Sequence, residues 1–173
     1  MGWRPGASHP WRPGGFSPHA ADMTTLADLR ASSLDALEEL YRGGAIGPRP
    51  RGRFRGRVLC RVDSRLAKSK SGTAILLPFE RAAFGIDFDR SVWFFVRPWL
   101  RIGRFRVEVG PSRWRDAEVL RLEYDVSRLP RPIRGFLYDE VKPLSDTLCL
   151  GLGGINAGRG KGDLFFFALE ASR

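Results

Sequence analysis

Histidine is nearly missing from this chain: 173 residues carry only His9 and His19, both close to the N-terminus. The remainder therefore has no imidazole for a Ser-His-Asp or Cys-His pair, and none for a histidine-bearing zinc site. Methionine is confined to Met1 and Met23, which also removes haem held by His or Met. The two cysteines, Cys60 and Cys149, cannot build a disulfide framework or a four-thiolate metal site. Each sits in an apolar stretch, where a free thiol behaves as a small buried hydrophobe. A reducing compartment, the cytoplasm, is the expectation, with no metal and no cofactor. No apolar run reaches the about 18 residues of a membrane-spanning helix, and the N-terminus lacks a secretory apolar region.

Lysine is scarce too, at Lys68, Lys70, Lys142 and Lys161, so arginine supplies most of a net charge of +10. That balance permits contact with nucleic acid or an anionic surface, and arginine suits bidentate contact with phosphate or carboxylate. A plainer account is that arginine is the preferred solubilising cation here. Hydrophobic residues make up 43% of the chain, enough for a folded core in one domain.

Residues 1–22 are rich in Pro and Gly without periodicity, which reads as a flexible tail. The domain is expected over 23–173, and Met23 is an alternative start. From Thr25 to Arg42 apolar residues recur at helical spacing. Ser32 with Asp35 resembles a capping box, and Gly43-Gly44 supplies a stop, so one N-terminal helix is expected, best capped over 33–42. Strand signals come next. In Arg53 to Val62, Phe54, Gly56, Val58, Cys60 and Val62 alternate with Arg53, Arg55, Arg57, Leu59 and Arg61, giving an apolar and a cationic face. Further strands are read at Val92–Val96, Arg104–Val109, Glu118–Val126, Gly135–Lys142, Thr147–Ile155 and Asp163–Glu170. Thr73–Phe84 is ambiguous between helix and buried segment. About seven strands with short connections predict a mainly β fold, an antiparallel meander closing into a barrel. The helix would plug or cap one end.

Few groups remain for chemistry. Gly151-Leu152-Gly153-Gly154 is followed by a strand and not by a helix, so it is no dinucleotide fingerprint. Gly160-Lys161 lacks the Ser/Thr of a phosphate loop. Asp139 and Glu140 are neighbours on one strand, so only one of them can face the interior. In an apolar site that carboxyl would titrate high and serve in proton transfer. Glu123, Tyr124 and Asp125 form a similar cluster. The arginine face of Arg53, Arg55, Arg57 and Arg61 lacks the interleaved aromatics of a single-strand binder, and Trp93-Phe94-Phe95 and Phe165-Phe166-Phe167 read first as core.

The C-terminal third, YDEVKPLSDTLCLGLGGINAGRGKGDLFFFALE, resembles small bacterial β-barrel proteins of the calycin-like or GXWXG type, in which a Tyr-Asp-Glu strand precedes Leu-Tyr-Leu-Gly and Phe-Ala-Leu-Glu strands. Gly110-Pro111-Ser112-Arg113-Trp114 through Glu123-Tyr124-Asp125 is similar to their hairpin. The resemblance spans about residues 32–170. It departs at Cys149, where an aromatic is usual, and in lacking Trp-x-Gly-Lys near residues 80–88. It implies a barrel and no particular reaction.

The expected function is binding of a small hydrophobic or amphipathic molecule inside the barrel. Trp93, Phe95, Tyr124, Tyr138 and Glu140 are the candidate lining, with an arginine such as Arg134 for an acidic head group. An acid–base enzyme using a buried carboxylate and tyrosine, and a basic nucleic-acid-binding module, are the alternatives.

Overall fold

A computed structural model describes residues 25–63, 84–95, 101–128, 130–131, 137–155 and 163–172. The tail at 1–22, the ambiguous segment before Phe84 and Arg134 lie outside them. Two short helices open the described chain, where the periodicity predicts one. Helix α1 spans Leu26–Ala31 and α2 spans Leu34–Arg42. The capping box belongs to α1: Thr25 Oγ1 accepts from Asp28 N while Asp28 accepts in return from Thr25 N. Ser33, not Ser32, caps α2, accepting from Ala36 N, and Ser32 ends α1 in extended backbone. Ser33 interrupts the helical pattern because its backbone must leave helical φ/ψ to cap α2.

Nine strands come after the helices: β1 (Arg53–Asp63), β2 (Phe84–Asp87), β3 (Val92–Phe95), β4 (Arg101–Arg104), β5 (Arg106–Pro111), β6 (Glu118–Glu123), β7 (Leu137–Pro143), β8 (Leu148–Ile155) and β9 (Asp163–Ala171). They form one antiparallel sheet in the order β4-β3-β2-β1-β9-β8-β7-β6-β5. The two edges, β4 and β5, are separated by the single residue Phe105, too little chain to reverse direction. They are two halves of one bent strand, the first paired with β3 and the second with β6. Antiparallel pairing of β1 with β9 requires an even number of chain directions, and counting β4–β5 once gives eight. The result is a nearly closed up-and-down barrel. Gly103, at φ +77°, precedes the bend, and Phe105 N donates to Ser91 O at 3.0 Å.

Alternation along these strands separates two cores. Phe54, Phe84, Ile86, Phe88, Trp93, Phe105, Leu120, Leu122, Tyr124, Val141, Cys149, Phe165, Phe167 and Leu169 fill the interior. Leu148, Leu150, Leu152, Phe166, Ala168 and Val119 face outward and are covered by Leu29, Leu37 and Tyr41 of the helices. The helix pair therefore lies against the barrel wall and does not plug an end. A Leu/Phe-rich outer face on β8 and β9 demands such a cover.

The β1 alternation does not run to its end. Register shifts between Val58 and Cys60 mark a bulge that swaps the faces. Cys60 and Val62 pack with the outer, helix-side cluster, and Arg61 comes to lie opposite Phe165 on the interior side. The outward cationic row thus keeps Arg53, Arg55 and Arg57 and loses Arg61. A period-two reading cannot anticipate this, because one extra residue inverts every position after it.

Gly151 shows how tightly the interior is filled. A Cβ there would sit 2.2 Å from Phe167 Cζ, with other ring atoms within 2.6 Å. Gly151→Ala should therefore cost about 1–3 kcal/mol through overpacking. That would be read as a lower urea midpoint with an unchanged m-value.

Candidate functional site

All three tyrosines of the sequence end at one of two adjacent carboxylates on β7, and those carboxylates lie on opposite faces of the barrel wall. Asp139 pairs with Leu122 on β6 and Gly153 on β8, in the register row that carries interior Phe165. Glu140 pairs with Leu152, whose side chain faces the helices. The candidate residues from the sequence therefore divide. Trp93, Phe95 and Tyr124 come together inside, while Tyr138 and Glu140 sit outside beneath α2 and the Ser112–Ala117 turn.

Inside, Trp93 Nε1 donates to the Tyr124 hydroxyl at 2.5 Å, and that hydroxyl donates to Asp139 Oδ2. The indole is thus linked to the carboxyl group through the phenol. Phe95 stacks on Trp93 with ring centroids 6.5 Å apart, and Phe84 and Phe167 pack on the same indole at 5.8 and 6.0 Å. Burial pushes the Asp139 carboxyl up to about 7; the Tyr124 bond opposes this rise and the nearby Glu140 charge adds to it. Burial and Asp139 together hold Tyr124 well above the ordinary phenol range, so it remains a donor. No lysine, arginine or histidine among the described residues pairs with Asp139.

Space for this carboxyl comes from Gly153. A Cβ there would stand 2.7 Å from Asp139 Oδ1 and 2.5 Å from Phe165 Cζ. Asp139 nevertheless keeps some accessible surface, as do the interior positions Phe95, Val107 and Leu137. Phe95 ends β3 and Leu137 begins β7, so both mark the same end of the barrel, from which the connections 64–83, 96–100, 124–136 and 156–162 depart. The opposite end is packed: Phe88 meets Phe54 at 5.4 Å and Phe105 at 6.5 Å.

Glu140 is fully buried and accepts from Tyr41 (2.9 Å), Tyr138 (2.7 Å), Ser112 (2.5 Å) and the Arg113 backbone N–H (2.6 Å). Two residues on, Lys142 donates to the carbonyls of Tyr41, Gly43 and Gly44, the orphan acceptors at the end of α2. Arg115 pairs with Glu38, and Trp114 meets Tyr138 edge-on at 4.6 Å. With both carboxylate oxygens engaged by protein donors, this cluster docks α2 and leaves no room for a substrate.

Composition and clustering point to Glu140 and miss Asp139 as the interior carboxylate. The alternation of LYDEVK puts Asp139 in one row with Leu137 and Val141, and Glu140 and Lys142 in the other; the register with β6 and β8 then places the first row inside.

No family model matches the chain, and no curated protein matches it. Among solved structures it is similar to a protein from Thermomonospora curvata, with a TM-score of 0.52 and 20% sequence identity, covering 86% of this chain and 96% of the other. At that identity the likeness concerns the fold alone: a nearly closed antiparallel β-barrel. Among the described residues no helix is long and apolar enough to cross a membrane, and no group of side chains could hold a metal ion.

Proposed function

We propose that the barrel binds a small apolar or amphipathic molecule at its less tightly packed end, with a polar group of the ligand directed to Asp139. The observation that carries this reading is the Asp139 carboxyl on the interior row, beside Phe165 and joined through Tyr124 to Trp93, on a residue that keeps some accessible surface. A largely apolar lining with a few convergent polar groups is the general form of a small-molecule site. An eight-stranded barrel is just wide enough to hold one small ligand above a filled base. Membership among calycin-like barrels, suggested by the C-terminal third, is part of the same proposal. Native mass spectrometry of the freshly purified chain should find a small molecule that is released on denaturation. The double variant Tyr124→Phe, Asp139→Asn should lose it. A bare polypeptide mass from several preparations would count against the reading.

A second reading draws on the Asp139 carboxyl, which titrates at about 7. That value suits a general acid or base at neutral pH, with Tyr124 orienting it. The nucleic-acid alternative draws less support. Arg61 leaves the outer cationic row, and Phe94, the aromatic residue across from Gly85 next to Arg55, is buried and has no open ring face for base stacking.

A further inference from the structure

Resting on that reading, we infer that the ligand carries a protonated amine, seated against Asp139 within the aromatic interior. Asp139 Oδ2 is occupied by the Tyr124 hydroxyl. Oδ1 makes no bond to any described residue, and it is the oxygen for which Gly153 leaves space. The carboxyl group stands on the interior row of β7 without a cationic partner among the described residues.

An ionised carboxylate facing an aromatic interior is costly, and a ligand that supplies the opposite charge recovers part of that cost on binding. An ammonium group does so. A ligand carboxylate would add a like charge beside Asp139, and an alcohol would supply only a neutral hydrogen bond. The surroundings favour the same choice. Phe165 lies beside the carboxyl group at Gly153, and Trp93, with Phe95 stacked on it, is joined to it through Tyr124; aromatic faces attract desolvated cations. Hydrocarbon attached to the amine would then lie along Phe95, Val107 and Leu137, interior positions that keep some accessible surface.

The test compares three probes of one chain length, decylammonium, decanol and decanoate, titrated calorimetrically into the full-length protein at about 0.15 M salt, where long-range charge is screened. A protein of net charge +10 draws in anions by its overall field, so a preference for the cation has to be local. Decylammonium should bind at least about tenfold more tightly than decanoate. Asp139→Asn should lose that advantage, with a single cooperative urea transition reporting that the variant is folded. Tighter binding of decanoate or decanol by the wild type would overturn the amine inference and leave the barrel-binding reading standing. Equal decylammonium affinity in Asp139→Asn would overturn it as well. If none of the three probes binds, both fall.

Discussion

Glu140→Ala should lower the unfolding free energy by about 3–5 kcal/mol, the usual cost of removing one member from a buried charged cluster. The change strands the hydroxyls of Tyr41, Tyr138 and Ser112 and the Arg113 N–H, each of which gave up water to reach this carboxylate. Bonds to an ionised acceptor are each worth about 1.5–3 kcal/mol, but four on one residue do not add. In a chain of this size, about 2–4 °C of melting temperature accompanies each kcal/mol, so a fall on the order of 10 °C is expected. Three elements meet at Glu140: α2 through Tyr41, β7 through Tyr138, and the turn after β5 through Ser112 and Arg113. The loss should therefore be regional first, with α2 amides exchanging faster with solvent while β8 and β9 stay protected. Tyr41→Phe removes one donor and should cost about 1 kcal/mol. A melting temperature within about 2–3 °C of wild type for Glu140→Ala, on the order of one kcal/mol on this scale, would mean that α2 is held by its apolar face alone.

The same residues show how far the sequence can be read. Strands β1, β3 and β6–β9 announce themselves by alternation or by dense β-branched and aromatic runs, and the meander follows from the short connections. The bent edge is harder to see. Arg104–Val109 alternates smoothly through Phe105, yet Phe105 is where the strand changes partners from β3 to β6. Strand pairing is a tertiary event with no local mark. The helices are visible as one amphipathic pattern, and the break at Ser32–Ser33 is hidden because serine fits both a helix surface and a cap. Their place on the wall is legible in principle, since Leu148, Leu150 and Leu152 alternate with Cys149, Gly151 and Gly153. Both faces of β8 are therefore apolar or small, and both must be covered. The division of Asp139 from Glu140 follows from parity alone. Which parity faces inward depends on neighbouring strands, and Gly153 opposite Asp139 supplies the answer only once the register is known.

Asp139 also makes a stability prediction whose sign is opposite to that of an ordinary paired carboxylate. Its folded-state value, about 7, lies above the 3.8 of the free group, so the folded protein binds this proton more tightly than the unfolded chain. The resulting stabilisation is complete below about pH 4 and is lost as pH rises through 7. The difference corresponds to at most about 4 kcal/mol. Other carboxylates titrate over the lower part of this range, so the informative quantity is the gap between wild type and Asp139→Asn at each pH. Asparagine keeps an acceptor for Tyr124 and carries no charge. Relative to this variant, the wild type should weaken steadily from about pH 4 to about pH 7 and then level off, leaving Asp139→Asn the more stable protein by several kcal/mol at the upper end. Urea unfolding at four or five pH values measures it. A gap that does not change with pH would place the Asp139 titration outside this window, and with it the expectation of an interior carboxyl that is half protonated at neutral pH. A bound amine would act on the same equilibrium, favouring the ionised carboxylate in the folded protein, so that the loss levels off at lower pH and the gap narrows.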